Sequence, residues 1–445
     1  MTAKIQLSDH FTYSRLIRFT VPSIIMMIFT SIYGVVDGIF ISNFAGKTAF
    51  AAVNLIFPPF MVMGAFGFML GTGGTALVAK TLGEGDKERA NRIFSMIIYV
   101  MLGLGVLFSV ISFIFVRPVA VFLGAEGQMV EDCVTYARYM IPFIAFFMLQ
   151  TSFQSFLIAA ERPKMGLAVT IAAGVTNMVL DALFVGLFRW GLMGAALATG
   201  LSVTVGAVIP LAYFITKKNP LLHLGKFTFD GRDLMKACTN GVSEMMANIS
   251  GSIVTMLYNF QLMKLAGEDG VAAYGVIGYV TFIFIGIFFG YSMGVSPVIS
   301  YHYGAENHDE LKNLFKKSLK LLCMTAVIVV IASELLAKPL AMIFVSYDAQ
   351  LLELTVRGMR MFCLAFIFAG VTIFGSGLFT ALNNGLISAV ISILRTLVFE
   401  CAAVMLLPLV FGLDGVWGAI IVAEVAALIV TVIFFGKFKN RYHYL

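Results

Sequence analysis

The sequence predicts an all-α integral membrane protein of 12 transmembrane helices, arranged as two six-helix lobes related by a parallel, pseudo-twofold repeat. Three observations predict it. Of 445 residues 60% are hydrophobic and 12% charged, with a mean hydropathy of +0.95, whereas soluble domains carry about 25% charged residues. The apolar stretches recur along the whole chain and mostly exceed the roughly 20 residues that a helix needs to cross hydrocarbon. Finally, the second half of the chain repeats the first.

Taken in order, breaks at Gly, Pro and charge clusters give spans near 13–39, 49–80, 91–116, 129–160, 164–189 and 191–216. Six more follow near 236–265, 270–301, 313–337, 350–381, 386–411 and 415–436. The polar, basic start MTAKIQLSDHFTYSRLIRF leads into an apolar stretch longer than a signal-peptide h-region, and no small-residue cleavage site follows. The first span is therefore expected to be retained. The longest polar connection, KKNPLLHLGKFTFDGRDLMK, falls between the sixth and seventh spans. It divides the chain into a first lobe (1–216), a linker (217–235) and a second lobe (236–445).

Sliding the chain by 221 positions pairs Gly46 with Gly267, Gly73 with Gly294, Gly83 with Gly304 and Pro118 with Pro339. After the eleventh span a three-residue slip aligns Leu192-Met193-Gly194-Ala195 with Val416-Trp417-Gly418-Ala419. Chance likeness between apolar helices would not hold one register across glycines, prolines and loops. An even number of spans per half makes both halves enter from the same side, which is the parallel-repeat plan of alternating-access transporters.

The excess of Lys and Arg (30) over Asp and Glu (24) is a topology signal and implies no nucleic-acid partner. Of the basic residues 21 fall in the termini and even-numbered connections, eight at the other side and one, Arg395, within a span. The positive-inside rule then puts both termini and the linker in the cytoplasm, with the chain in the plasma membrane surrounded by lipid. The five cysteines are scattered, with no CxxC pair, and read as free thiols.

Enzyme signatures fail. AGKT (45–48) lacks the leading glycine of a P-loop, its place being taken by Ile41, and neither HExxH nor GxSxG occurs. All five histidines lie at termini or in connections. No cofactor is implied.

Ionisable residues within spans carry the functional argument, because they are costly there and are usually paired or functional. Asp37 lies in the outer half of the first span and Asp181 in that of the fifth. Asn177, four residues before Asp181, shares its helical face, so amide and carboxylate together can hold a proton or a Na⁺. At the 221 shift Asp37 falls on Tyr258 and Asp181 on Ala402, so this chemistry belongs to the first lobe alone. In the second lobe Glu244, Arg395, Glu400 and Glu424 remain, the first three with Tyr258 being candidates for the substrate cavity. Arg395 and Glu400 are five apart, about 140° on an α-helix, so a pair within one helix is not expected. Pro22 removes a backbone hydrogen bond from the helix that carries Asp37 and is a candidate hinge. The 42 Phe and 25 Met supply adaptable apolar surface suited to varied ligands.

These residues resemble the multidrug and toxic compound extrusion (MATE) family of bacterial antiporters over essentially the whole chain. Pro22 and Asp37 in one span, the turn LGEGDKERA (82–90) and NMVLDALFVGLFRWGLMGAALATGLS (177–202) carry the likeness. The last segment is the most specific, an Asn-x-x-x-Asp followed by G-x-x-G-A-A-x-x-T. The resemblance implies export of small organic, cationic compounds in exchange for H⁺ or Na⁺, by a protein functional as a monomer. It also implies a cation-coupling site of Asp37, Asn177, Asp181, Gln154 and Thr199, with Asp181 and Asn177 as ligands if the ion is Na⁺. Gln154 departs from the Asn expected at that position.

Two rival readings make contrary demands. A lipid-linked saccharide flippase of the same superfold calls for a strongly cationic cavity, but only Arg395 is basic within a span. An intramembrane transferase needs clustered aspartates near the cytoplasmic face, and none occurs.

Overall fold

The computed structural model describes residues 5–41, 44, 47–216, 221–346 and 348–445. Gly46 of the repeat pairing, Ala45 and Gly46 of AGKT, and 217–220 of the linker lie outside the described residues. Ten of the described helices are long and apolar enough to cross a bilayer, and a pair bent by 49° adds another. One of them, Gly231–Gly304, has 74 residues; run straight it would reach about 110 Å, more than three times the hydrocarbon thickness. It is two helices. Gly267 breaks it at φ +63°, and Tyr258 stacks on Tyr274 with ring centroids 4.7 Å apart, which demands that the chain fold back between them.

Twelve spans result. They are α1 (Tyr13–Phe40), α2 (Lys47–Gly83), α3 (Lys87–Phe122), α4 (Gln128–Ala159), α5 (Pro163–Leu187) and α6 (Gly191–Ile215) in the first half. The second half has α7 (231–266), α8 (268–304), α9 (His308–Val345), α10 (Ala349–Cys363 with Phe366–Ala381), α11 (Gly385–Leu406) and α12 (Pro408–Tyr442).

The repeat is visible in the helix ends. Asp86 caps α3 by accepting from the Arg89 amide at 2.9 Å, and 221 residues later Asn307 caps α9 by accepting from the Glu310 amide at 3.1 Å. The residues before these caps, Gly85 and Glu306, both take positive φ, as do Gly191 and Gly412 at the corresponding later positions. α4 is interrupted by a 3-10 turn at Ile141–Phe143, and α10 is bent between Cys363 and Phe366.

Two apolar cores form, one from residues 41–222 with Ala237, the other mainly from residues 254–444. Leu7, Phe11, Leu16, Phe19 and Met26 belong to the second core, so the first half of α1 packs on the opposite lobe. The segment before α1 bridges both lobes: the Leu7 amide donates to Glu161 Oε1 at 2.8 Å and the Phe11 amide to Glu310 Oε1 at 2.9 Å. The described part of the linker lies on α3, where the His223 amide donates to Asn91 Oδ1 at 2.7 Å and the Gly225 amide to Ser95 Oγ at 2.8 Å. α7 starts at Gly231, five residues before the sequence-based boundary, because Asp230 caps it. The amides of Asp233 and Arg232 hold the Asp230 carboxyl below the usual range.

The lobes meet in the half of the molecule nearest the termini. There α2 crosses α8 so closely that Gly83 abuts the Tyr301 carbonyl and Gly304 the Lys80 carbonyl. Arg89 clasps Asp233 across the lobes at 2.9 and 3.3 Å. Farther along α1 the last direct polar link among the described residues is Ser31 Oγ to the Phe282 carbonyl, at 3.3 Å. Asp37 lies beyond it.

Candidate cation site in the first lobe

Three helices place the candidate residues together. Gly174 on α5 leaves room for α1: a Cβ there would lie 2.5 Å from the Phe29 ring and 2.9 Å from that of Tyr33. With α1 seated this closely, Asp37, one turn after Tyr33, reaches Asp181, Asn177 and Thr199. Asp181 is 0% and Asn177 1% exposed. A π-helical stretch, Ala182–Leu187, begins directly after Asp181, and such widened turns recur at functional sites.

The polar atoms converge without satisfying one another. Asp37 Oδ1, both carboxylate oxygens of Asp181, both amide atoms of Asn177 and Thr199 Oγ1 are buried with no hydrogen-bond partner. Buried polar atoms are normally paired. Among the described residues neither aspartate forms an ion pair, and the neighbouring side chains are neutral. The donor set of carboxylate, amide and hydroxyl oxygens suits a small hard cation or a proton.

Sequence reasoning missed three members of this cluster. Tyr33 lies beside Asp37 and is reached by Gln150; the fully buried Tyr136 meets Thr199 and lies close to both aspartates. Gly206 on α6 makes the space for Gln150. Gln154, one turn farther along α4 on the same face, is buried but forms no hydrogen bond to the cluster among the described residues. Pro22 lies inside α1, which continues unbroken through it.

In the second lobe Tyr258, the repeat counterpart of Asp37, is fully buried with its hydroxyl unpartnered, facing Glu400. Arg395 pairs with Glu424 of α12 through Nη2 at 2.6 Å and Nε at 2.7 Å. Among the described residues Arg395 pairs with Glu424 and not with Glu400, and the α-helical angle used to separate Arg395 from Glu400 does not apply here. Ile393–Glu400 is π-helical, and its i→i+5 bonding brings residues five apart toward one side. Glu244 lies half-buried within the field of Arg395.

Comparison with known proteins accords with this architecture. The multidrug export protein MepA of Staphylococcus haemolyticus is 23% identical over 436 residues, covering 96% of this chain and 94% of its own. The outward-facing structure of a multidrug resistance MATE family transporter of the MOP superfamily superposes with a TM-score of 0.93 at 24% identity, covering 99% of both chains. A MOP superfamily transporter from Pyrococcus furiosus superposes at 0.91, also at 24% identity, over 100% of this chain and 99% of its own; the reverse polarity of its binding pocket is held to suggest a different function. The MatE family matches residues 22–183 and 245–404, two stretches whose ends, 183 and 404, are separated by the repeat distance. Since these matches cover well over half of the chain, it belongs to the MatE family, the multidrug and toxic compound extrusion transporters, and is a transporter rather than an enzyme.

Proposed function

We propose that the chain is a secondary exporter that expels organic cations in exchange for H⁺ or Na⁺, with Asp181 carrying the coupling and Asp37 modulating it. The observation that carries this reading is the set of buried, unpartnered oxygens that α1, α5 and α6 bring together around two carboxylates with no cationic side chain beside them. An anion so placed in the bilayer is strongly disfavoured, and a proton or Na⁺ offsets the penalty. Asn177 and Thr199 supply further oxygens, and Pro22 gives α1 a place to bend when occupancy changes. Because the site lies beyond the lobe contacts, filling it can favour one lobe arrangement over another, provided that the cation binds the two with different affinity.

The basic residues put the termini in the cytoplasm of a bacterial cell and the chain in the plasma membrane. The lobes are then closed toward the cytoplasm. Glu244 and Glu400 contribute negative charge near the path between the lobes, which favours organic cations by Coulomb attraction, whereas Tyr258, expected to line that cavity, is instead fully buried in the second core. The export activity in the name of the staphylococcal relative supports the direction of transport.

The test is ethidium transport by the protein in liposomes, with proton and sodium gradients imposed separately. Asp181→Asn should abolish gradient-driven transport while ethidium still binds, because the amide keeps the volume and much of the polarity. Uphill transport by Asp181→Asn at the native rate, with native pH or Na⁺ dependence, would remove Asp181 from the coupling site.

A further inference from the structure

The two lobes share a fold, yet they treat their buried carboxylates in opposite ways. In the first, Asp37 and Asp181 have only neutral neighbours and unpartnered oxygens. In the second, Glu424 is buried much as Asp181 is, at 3% exposure, but has no unsatisfied oxygen. Oε1 receives both Nε and Nη2 of Arg395, and Oε2 receives the hydroxyl of Thr372 at 2.7 Å.

We propose that Arg395 is a resident cation of the second lobe, a tethered substitute for the ion that the first lobe must take from solution. It keeps Glu424 charged and neutralised throughout the cycle, and so withdraws Glu424 from cation coupling. The inference rests on the coupling site proposed above.

The surroundings of the pair define what its removal should do. Arg395 faces Glu424 from α12, Glu400 on its own helix and Glu244 from α7; Glu400 in turn lies beside Tyr258 of α7, Tyr274 of α8 and Cys401. Three carboxylates therefore share one guanidinium, and among the described residues no other basic group enters the cluster. Without Arg395, Glu424 is left as an anion inside a span with two further acids close by, the situation that Asp37 and Asp181 already present. It must then recruit a proton or a metal cation.

The experiment compares the wild type, Arg395→Met, Arg395→Lys and the double variant Arg395→Met/Glu424→Gln, in full-length protein reconstituted into liposomes. Ethidium transport is followed against pH and Na⁺. A second readout, independent of transport, is the fluorescence of Trp417, which is buried on the same helix as Glu424, two turns earlier. Trp190→Phe removes the only other tryptophan.

Arg395→Met should acquire a Na⁺ or pH response in Trp417 emission that the wild type lacks. Its transport rate should change roughly tenfold more steeply with the same variable, as expected of a carboxylate passing from vacant to occupied. Arg395→Lys should remain close to wild type. The double variant, with neither charge, should regain the wild-type profile. Should Arg395→Met fail to reach the membrane, the double variant decides alone: loss of its cation dependence would put coupling in the second lobe and overturn the proposal. So would an Arg395→Met protein with wild-type fluorescence and cation profile, which would make the pair a packing device. If the wild type itself showed no gradient-driven ethidium transport, the coupling reading would fail; the fluorescence of Arg395→Met would still report whether Glu424 takes up a cation.

Discussion

The crossing of α2 and α8 is where one methyl group should move the most structure. Gly304 faces the backbone of Lys80, and an added Cβ would overlap the Lys80 carbonyl group and come within 3.0 Å of its Cα. A side chain could rotate away; a helix backbone cannot. The clash must be relieved by separating the lobes, and overpacking of this kind typically costs about 1–3 kcal/mol. Gly304→Ala should therefore shift the balance between lobe-closed and lobe-open arrangements roughly 5- to 150-fold toward opening on the terminal side. Spin labels at the exposed positions Glu88 and Lys316, one on each lobe, would report this as a longer distance population in liposomes. Gly103→Ala is the control, since a Cβ there meets nothing within 4 Å. An unchanged distance distribution in Gly304→Ala would mean that the crossing yields locally and does not hold the lobes together, which would refute the reasoning.

Two further outcomes are expected. Thr372→Val removes the donor to Glu424 Oε2 and leaves a buried carboxylate oxygen unpaired, so it should lower stability by about 1–3 kcal/mol, measured as a lower unfolding midpoint in detergent; an unshifted midpoint would mean that water replaces the hydroxyl. Reporter tags at residues 1, 225 and 445 should all read cytoplasmic, because 21 basic residues fall on that side, and an outside signal at 225 would break the two-lobe topology.

Length and hydropathy sufficed to find the spans, because a helix in hydrocarbon must satisfy its backbone internally and so leaves a long apolar run. The α7–α8 turn was legible as the polar GEDG (267–270), although the helices themselves run through it but for one residue. Packing partners were not legible. An apolar face on α1 does not say whether it meets its own lobe or the other, and Leu16, Phe19 and Met26 meet the other. The same limit applied to the site. Asp37, Asn177 and Asp181 stood out as polar residues in apolar helices and Thr199 came from the family resemblance, but Gln150 and Gln154 share a face of α4, and only the position of Gly206 decides which has room at Tyr33. At Arg395 periodicity argued against a partner within the helix but could not name Glu424 on α12, and the π-helical stretch there changes the angle per residue that the argument assumed.

The duplicated fold makes the chemical asymmetry meaningful. If both lobes carried uncompensated carboxylates, each could bind a cation independently, and partial occupancy would produce states in which the lobes disagree. With Glu424 already neutralised by Arg395, that carboxylate has one charge state, and under the proposed coupling the balance between lobe arrangements follows occupancy in the first lobe. The lobes nevertheless touch through that same balance: the first half of α1 packs on the second core, its second half carries Asp37, and Pro22 lies between the chain's anchor at Glu310 and the carboxylate. A change of charge at Asp37 and Asp181 thus acts on a helix that belongs to both lobes.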